Sequence, residues 1–328
     1  MGNCAPKPKN VSTTPIRLHG SESCPIAARI RVSLLYKSLP FDFIPTPTAI
    51  NRPVLIVGYE TVKDTADSIL HYIDSKFARR LAAWRLSERS ATMEPAAAVI
   101  RLQHGAWRGT CGDGEVGEGS GGGKGELAER EGDGDWYGES GELMLEHAQM
   151  EETFLFPILD RASDSDVCRD ATEEHGRDLP MMNGIKEEIK MLGVMEAESP
   201  SYKETLLSIS RRLKKLQDHC KEHFAEEETK LLPLLETAEK ARRQEGGQPW
   251  SQLEWAEKLI SSTESAHSQL FPLLMAGLRP DEALQYVDLV CRCLCDDRQV
   301  VKMLQSLVSW FEGTLPLSWI RASPFLKC

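Results

Sequence analysis

Short apolar runs punctuated by turn residues open the chain. Ile16-Arg17-Leu18-His19, Phe41-Asp42-Phe43-Ile44, Arg52 to Val57 and Glu60-Thr61-Val62 read as four strands, with Gly58-Tyr59 turning between the last two. A helix opening at Cys24-Pro25 and running to about Tyr36 separates the first pair, and a second helix, capped by Asp64, reaches about Phe77. The order is βαβ followed by ββα, a small α/β unit over 15–80. A helix is predicted over Ala96 to Trp107, and from Leu143 onward the apolar period is helical almost throughout. Breaks fall near Ser163 to Ser165, Glu198 to Pro200, Gly246 to Pro249 and Gly277 to Pro280. The predicted fold class is α+β multidomain: the α/β unit, a helical bundle over 95–245 and a helical C-terminal extension over 250–328.

Composition changes this picture at one place. Residues 109–142 hold thirteen of the 24 glycines, interleaved with ten Asp or Glu, and such a segment cannot bury enough apolar area to offset its ordering entropy. It reads as a flexible insert that cuts the Ala96 helix short, just past His104 and Gly105. Against Lys124 and Arg130 the insert carries −8 of the net −11, so only −3 remains elsewhere. A nearly neutral folded part lacks the basic footprint that phosphates require, which excludes nucleic acid as a partner. Nine cysteines, an odd number without C-x2-C spacing, fit reduced thiols and a cytoplasmic protein. There is no run of 18 apolar residues, so membrane association rests on lipidation within a flexible 1–14 segment, at Gly2 or Cys4.

Two helical segments repeat at an offset of 76. His147-Ala-Gln-Met-Glu151-Glu152-Thr153-Phe-Leu155-Phe-Pro157-Ile-Leu159 aligns with His223-Phe-Ala-Glu-Glu227-Glu228-Thr229-Lys-Leu231-Leu-Pro233-Leu-Leu235, with seven of thirteen positions identical. On a helix, residues four apart share a face, so each segment presents an imidazole beside a carboxylate. Both pairs fall on predicted core seams: Met144, His147, Glu151, Phe154 and Ile158 in one, and Leu213, Leu216, Cys220, His223, Glu227, Leu231 and Leu234 in the other. Inward-facing carboxylates without a partner are costly, and a shared cation is the economical answer. A third seam, His175, Leu179, Met182, Ile185 and Ile189, begins with a histidine, with its register interrupted at Pro180. Imidazole and carboxylate without thiolate suit iron, with manganese or zinc behind it.

These residues resemble the hemerythrin-like, or HHE cation-binding, family over about residues 95–240. The resemblance implies a four-helix bundle around a non-haem di-iron centre, with His104, His147, Glu151, His175, His223 and Glu227 as metal ligands and the two glutamates as bridges. It also implies dioxygen or iron as the bound partner, in sensing, storage or redox signalling, and a binding protein rather than an enzyme. The N-terminal element order, with Pro53 ahead of a strand, resembles a thioredoxin-like fold and the N-terminal domain of glutathione transferases. By that resemblance Cys24 stands at the nucleophile position, Pro53 matches the cis-proline, and Asp64 and Thr65 match the pair that holds the γ-glutamyl group of glutathione. Two alternatives follow: a glutathione-dependent thiol transferase or reductase using Cys24, and a non-catalytic interaction protein with a protein partner.

Neighbouring residues take plainer readings. Glu152 and Glu228 read as solvated charges off the seam, His219 as solvated or capping, and His267 as packing. Cys291, Cys293 and Cys295 spread around a helix axis and read as packing too. Pro157 and Pro233 are expected to kink or end their helices.

Overall fold

The computed structural model describes residues 15–47, 52–77, 94–111, 143–163, 165–196, 199–235, 252–264 and 270–313. Gly2, Cys4, His267 and all of the insert beyond Cys111 up to Glu142 lie outside them. The N-terminal unit runs β1 (Ile16–Gly20), α1 (Pro25–Tyr36), β2 (Asp42–Pro45), β3 (Val54–Val57), β4 (Glu60–Val62) and α2 (Ala66–Lys76). Its sheet has the order β2-β1-β3-β4, with β1 parallel to β2 and antiparallel to β3, and β3 antiparallel to β4. Leu18, Leu55 and Val57 from the sheet meet Ile30, Leu34, Ile69 and Ile73 from the helices in a dry core. Gly58, at φ 63°, supplies the left-handed conformation that the β3–β4 turn needs, and Tyr59 beside it projects into solvent.

The cap of α2 is one residue later than expected. Thr65 is the cap and accepts from the Ser68 N–H at 3.3 Å, while Asp64 accepts from the Thr65 N–H at 2.7 Å. A hydroxyl there reaches the third backbone donor of the helix, which a carboxylate one residue earlier does not.

The rest of the described chain is helical. It comprises α3 (Pro95–Cys111), α4 over 143–163, α5 (Arg169–Leu192), α6 (Pro200–Glu226, continuing to 235), α7 (Gln252–Glu264), α8 (Leu270–Ala276), α9 (Pro280–Cys293) and α10 (Asp297–Phe311). α3 runs about a turn beyond the predicted end at Trp107. Gly109 explains why: a β-carbon there would stand 1.8 Å from the Gly277 carbonyl oxygen, so the turn after α8 packs on bare backbone. That contact offsets the helix-propensity cost of glycine, about 1 kcal/mol. α5 likewise passes unbroken through Pro180, which is exposed, so the carbonyl of Gly176 that loses its donor faces water. The buried seam there takes Asp178 in place of the expected Leu179, which is 40% exposed.

Pro157 and Pro233 end neither helix. In both cases the preceding turn widens, so that the Phe156 N–H bonds the Glu151 carbonyl and the Leu232 N–H bonds the Glu227 carbonyl, five residues back. The wide turn inserts one residue into the helical phase. Burial therefore moves from the expected Phe154 and Ile158 to Leu155, Phe156 and Leu159, and from Leu234 to Leu232 and Leu235.

The C-terminal helices tie the two parts together. α7, α8 and α9 pack on α3, while α9 and α10 pack on α1. Ala28, Val32 and Tyr36 of α1 enter the main helical core, and Arg29 and Arg31 reach Asp288 and Glu312 at 2.6 and 2.7 Å. Among the described residues no helix is long and apolar enough to cross a membrane.

Candidate metal centre

Four helices deliver the six side chains: His104 from α3, His147 and Glu151 from α4, His175 from α5, and His223 and Glu227 from α6. All six are buried, His104 and Glu151 completely. They form two overlapping groups, His104, His147, Glu151 and Glu227, and Glu151, His175, His223 and Glu227, so both glutamates belong to both.

The imidazoles are oriented from outside. His147 Nδ1 meets Gln103 Oε1 at 3.1 Å, His104 Nδ1 meets Glu228 Oε1 at 2.9 Å, His175 Nδ1 meets Glu152 Oε1 at 3.1 Å, and His223 Nδ1 meets Glu174 Oε2 at 2.8 Å. Each of these oxygens accepts, so each Nδ1 carries the proton and each Nε2 of a neutral ring presents a lone pair inward. Glu152 is exposed, as its position suggested, and Glu228 is half-buried, yet each also reaches across to the histidine of a neighbouring helix. Arg108 also donates to Glu228, at 2.9 Å.

Inside this ring the acceptors converge without donors. Glu151 turns Oε1 toward His147 and His104 (3.1 and 3.5 Å) and Oε2 toward His175 (3.6 Å). Glu227 turns Oε2 toward His104 and Oε1 toward His223, each at 3.4 Å. Both oxygens of both carboxylates, with Nε2 of His104 and His147, have no hydrogen-bond partner. His175 Nε2 and His223 Nε2 lie 2.9 Å apart. Two lone pairs at that distance repel, so either a shared proton, which makes the contact a hydrogen bond, or a metal ion lies between them. Nitrogen ligands about 2.1 Å from one ion, at right angles, would be roughly 3 Å apart.

Without an ion the site relieves its charge by protonation. Burial pulls the His104 pKa down, but Glu151, Glu227 and Glu228 around it outweigh that and raise it to about 10. Burial pushes Glu151 up, yet the facing His147 and His104 hold it well below the usual carboxylate range. Glu228 is lowered as well: His104 and Arg108 overcome its burial. Phe224 stacks on His104 at 4.1 Å and Phe156 on His175 at 5.5 Å, so apolar rings wall the centre. Two carboxylates and four inward nitrogens in a dry cage fit a bound metal cation.

Other singled-out residues lie elsewhere. His219, 44% exposed, pairs with Asp178 at 3.0 Å. Cys24 caps α1 and is half-buried, Pro53 is buried, and Asp64 and Thr65 are exposed at the start of α2. Among the described residues no peptide bond is cis, so the cis geometry expected at Pro53 is absent and its ring follows an ordinary trans bond. Cys291 is half-buried, Cys293 buried and Cys295 exposed, and burial raises the first two thiols to about 12 and about 11.

Sequence reasoning missed Gln103, Glu174 and Tyr286, and the bonds to neighbouring histidines made by Glu152 and Glu228. A signal for the last two was present, since the doubled glutamate occurs in both copies of the repeat. Gln103 and Glu174 each directly precede one of the inward histidines.

Comparison with known families agrees with this site. Residues 96–235 match the family model described as the hemerythrin HHE cation binding domain, a span that holds all six inward side chains. No curated protein and no solved structure gave a match to the chain.

Proposed function

We propose that residues 96–235 form a hemerythrin-like four-helix bundle that binds two non-haem iron ions. His104 and His147 would hold one, His175 and His223 the other, with Glu151 and Glu227 bridging. The observation that carries this reading is that each glutamate aims one oxygen at each histidine pair while none of those oxygens has a hydrogen-bond partner. Iron so held supplies reversible ligand binding and electron exchange, which suits dioxygen or iron sensing, storage or redox signalling. The chain's own residues exclude water through Phe224 and Phe156 and fix the ring tautomers through Gln103, Glu228, Glu152 and Glu174. A cytoplasmic setting follows from the cysteine usage.

Elemental analysis with an absorption spectrum of protein purified from iron-rich medium tests the reading; two irons per chain are expected, and a metal-free protein would reject it. Removing metal uncovers two buried carboxylates, so a chelator should lower the melting temperature, whereas coincident melting curves would exclude a structural contribution.

For the N-terminal unit we infer a thioredoxin-like domain similar to the N-terminal domain of glutathione transferases. The sheet order β2-β1-β3-β4, with β1 and β2 parallel and Cys24 at the head of α1, supports it. A glutathione-dependent role for Cys24 is the second reading, and the trans bond at Pro53 weighs against it. Retention on immobilised glutathione, lost in Cys24→Ser, would establish that role; passage through the column would dismiss it.

A further inference from the structure

The centre is built on an approximate two-fold pattern. His104 corresponds to His175, His147 to His223, Glu151 to Glu227 and Glu152 to Glu228. Even the outer bonds correspond, since Glu152 holds His175 as Glu228 holds His104. The residue before the first histidine of each half holds the second: Gln103 holds His147, and Glu174 holds His223. Here the pattern breaks, because one half has a carboxylate and the other a neutral amide.

A carboxylate behind a ligating imidazole makes the ring a more basic ligand, whereas an amide orients it without adding charge. An amide also brings an ambiguity: rotated by half a turn, it would offer N–H to His147 Nδ1 and favour the tautomer that cannot ligate through Nε2. What fixes its orientation is Tyr286 on α9. The Gln103 amide nitrogen donates to the Tyr286 hydroxyl at 3.1 Å, which leaves Oε1 facing His147. Both side chains are buried, so an amide N–H without that oxygen would be left unsatisfied. Tyr286 lies outside the matched span 96–235. Leu274 of α8 also joins Gln103, Trp107 and Met144 around a small apolar cavity beside His147, so the C-terminal helices close this side of the centre.

We propose that Tyr286 is a positioning residue for the metal centre. By holding Gln103 as an acceptor for His147 it keeps that ring in the tautomer that ligates and makes the C-terminal helices part of the site; because this acceptor is a neutral amide where the other half has Glu174, the His104/His147 position is the weaker of two, filled second and emptied first. This rests on the dinuclear reading above.

The test is titration of metal-free, full-length protein with cobalt(II), followed by absorption and by the hyperfine-shifted imidazole N–H proton resonances. Two ions per chain should bind in two steps, the His175/His223 resonances appearing first. Tyr286→Phe, which keeps the ring packed near Phe271, should weaken the second step alone by about tenfold and speed solvent exchange of one N–H, that of His147. Glu174→Gln, at a partly exposed site, should weaken the first step by about tenfold and bring the two steps together. If Tyr286→Phe left both steps unchanged, or lowered both equally, the positioning role would be overturned while the dinuclear reading stood. Should Tyr286→Phe fail to fold, Glu174→Gln decides: an unchanged first step refutes the inequality. If the unaltered protein takes up no cobalt, the dinuclear reading fails and the proposal with it.

Discussion

The two halves of the candidate centre carry the same inward side chains in different surroundings. α3 is packed against three of the C-terminal helices, and Gln103 is buried where it meets Tyr286 of α9. The counterpart helix α5 turns one face to solvent, and the Glu174 side chain is 34% exposed, with Arg177 3.6 Å away. An exposed carboxylate keeps much of its hydration and stays charged cheaply; one at Gln103 would be sealed from water with no cation facing it. The half in the core accordingly uses an amide satisfied by a tyrosine. The comparison teaches that burial, and not the inner ligand set, decides which outer groups a metal position can carry.

The comparison breaks most completely at the shared residues. Glu151→Ala or Glu227→Ala removes an oxygen from both positions at once, so metal content should fall from two ions per chain toward none by elemental analysis. His147→Ala or His223→Ala should instead leave about one. A Glu151→Ala protein retaining a full complement would show that the carboxylate is not a bridge.

Protonation separates the halves through His104, whose pKa is raised to about 10 in the metal-free protein. A ligand must give up its proton, so loading at pH 7 should release about one proton from His104, measurable from the buffer dependence of the binding enthalpy. The sign for stability is opposite. The folded pKa lies above the ordinary histidine value of about 6.5, so protonated His104 stabilises the metal-free fold fully below that pH. This contribution is lost as pH rises through about 10. Between pH 7 and 10 the chelated protein should therefore lose melting temperature while metal affinity climbs; parallel trends would refute the assignment.

Much of this arrangement was legible in the chain. The His-x3-Glu repeat at an offset of 76, on apolar seams, located four of the six side chains that converge in the interior, and the strand runs gave the order of the N-terminal unit. What periodicity could not show was the phase slip at Glu151–Leu155 and Glu227–Leu231, because a wide turn leaves composition unchanged and only shifts which later residues face inward. Nor could it place Tyr286, which meets Gln103 across 183 positions. The end of α3 was misjudged for a related reason: Gly109 lowers helix propensity locally, and its compensation is a distant turn at Gly277.

Smaller effects sharpen the contrast between the outer carboxylates. Glu152→Gln keeps the acceptor for His175 and removes the charge, and should weaken the His175/His223 position by about tenfold in chelator competition. No change there would mean that the carboxylate orients the ring without strengthening it.

The smallest expected effect belongs to Arg108, which has no equivalent at Glu152 among the described contacts. Arg108 donates to the same Glu228 oxygen that holds His104 Nδ1, and so draws off part of the negative charge that would make His104 a stronger ligand. The pair is partly exposed, at 35% and 24%, which limits its strength to about 1 kcal/mol or less. Arg108→Gln should therefore strengthen the His104/His147 position by no more than about fivefold, with the other position unmoved. The guanidinium also lies 5.7 Å from the Phe224 ring that stacks on His104. A weaker position in Arg108→Gln would thus show that the arginine serves the centre by bracing that ring, and that its charge on Glu228 is the lesser effect.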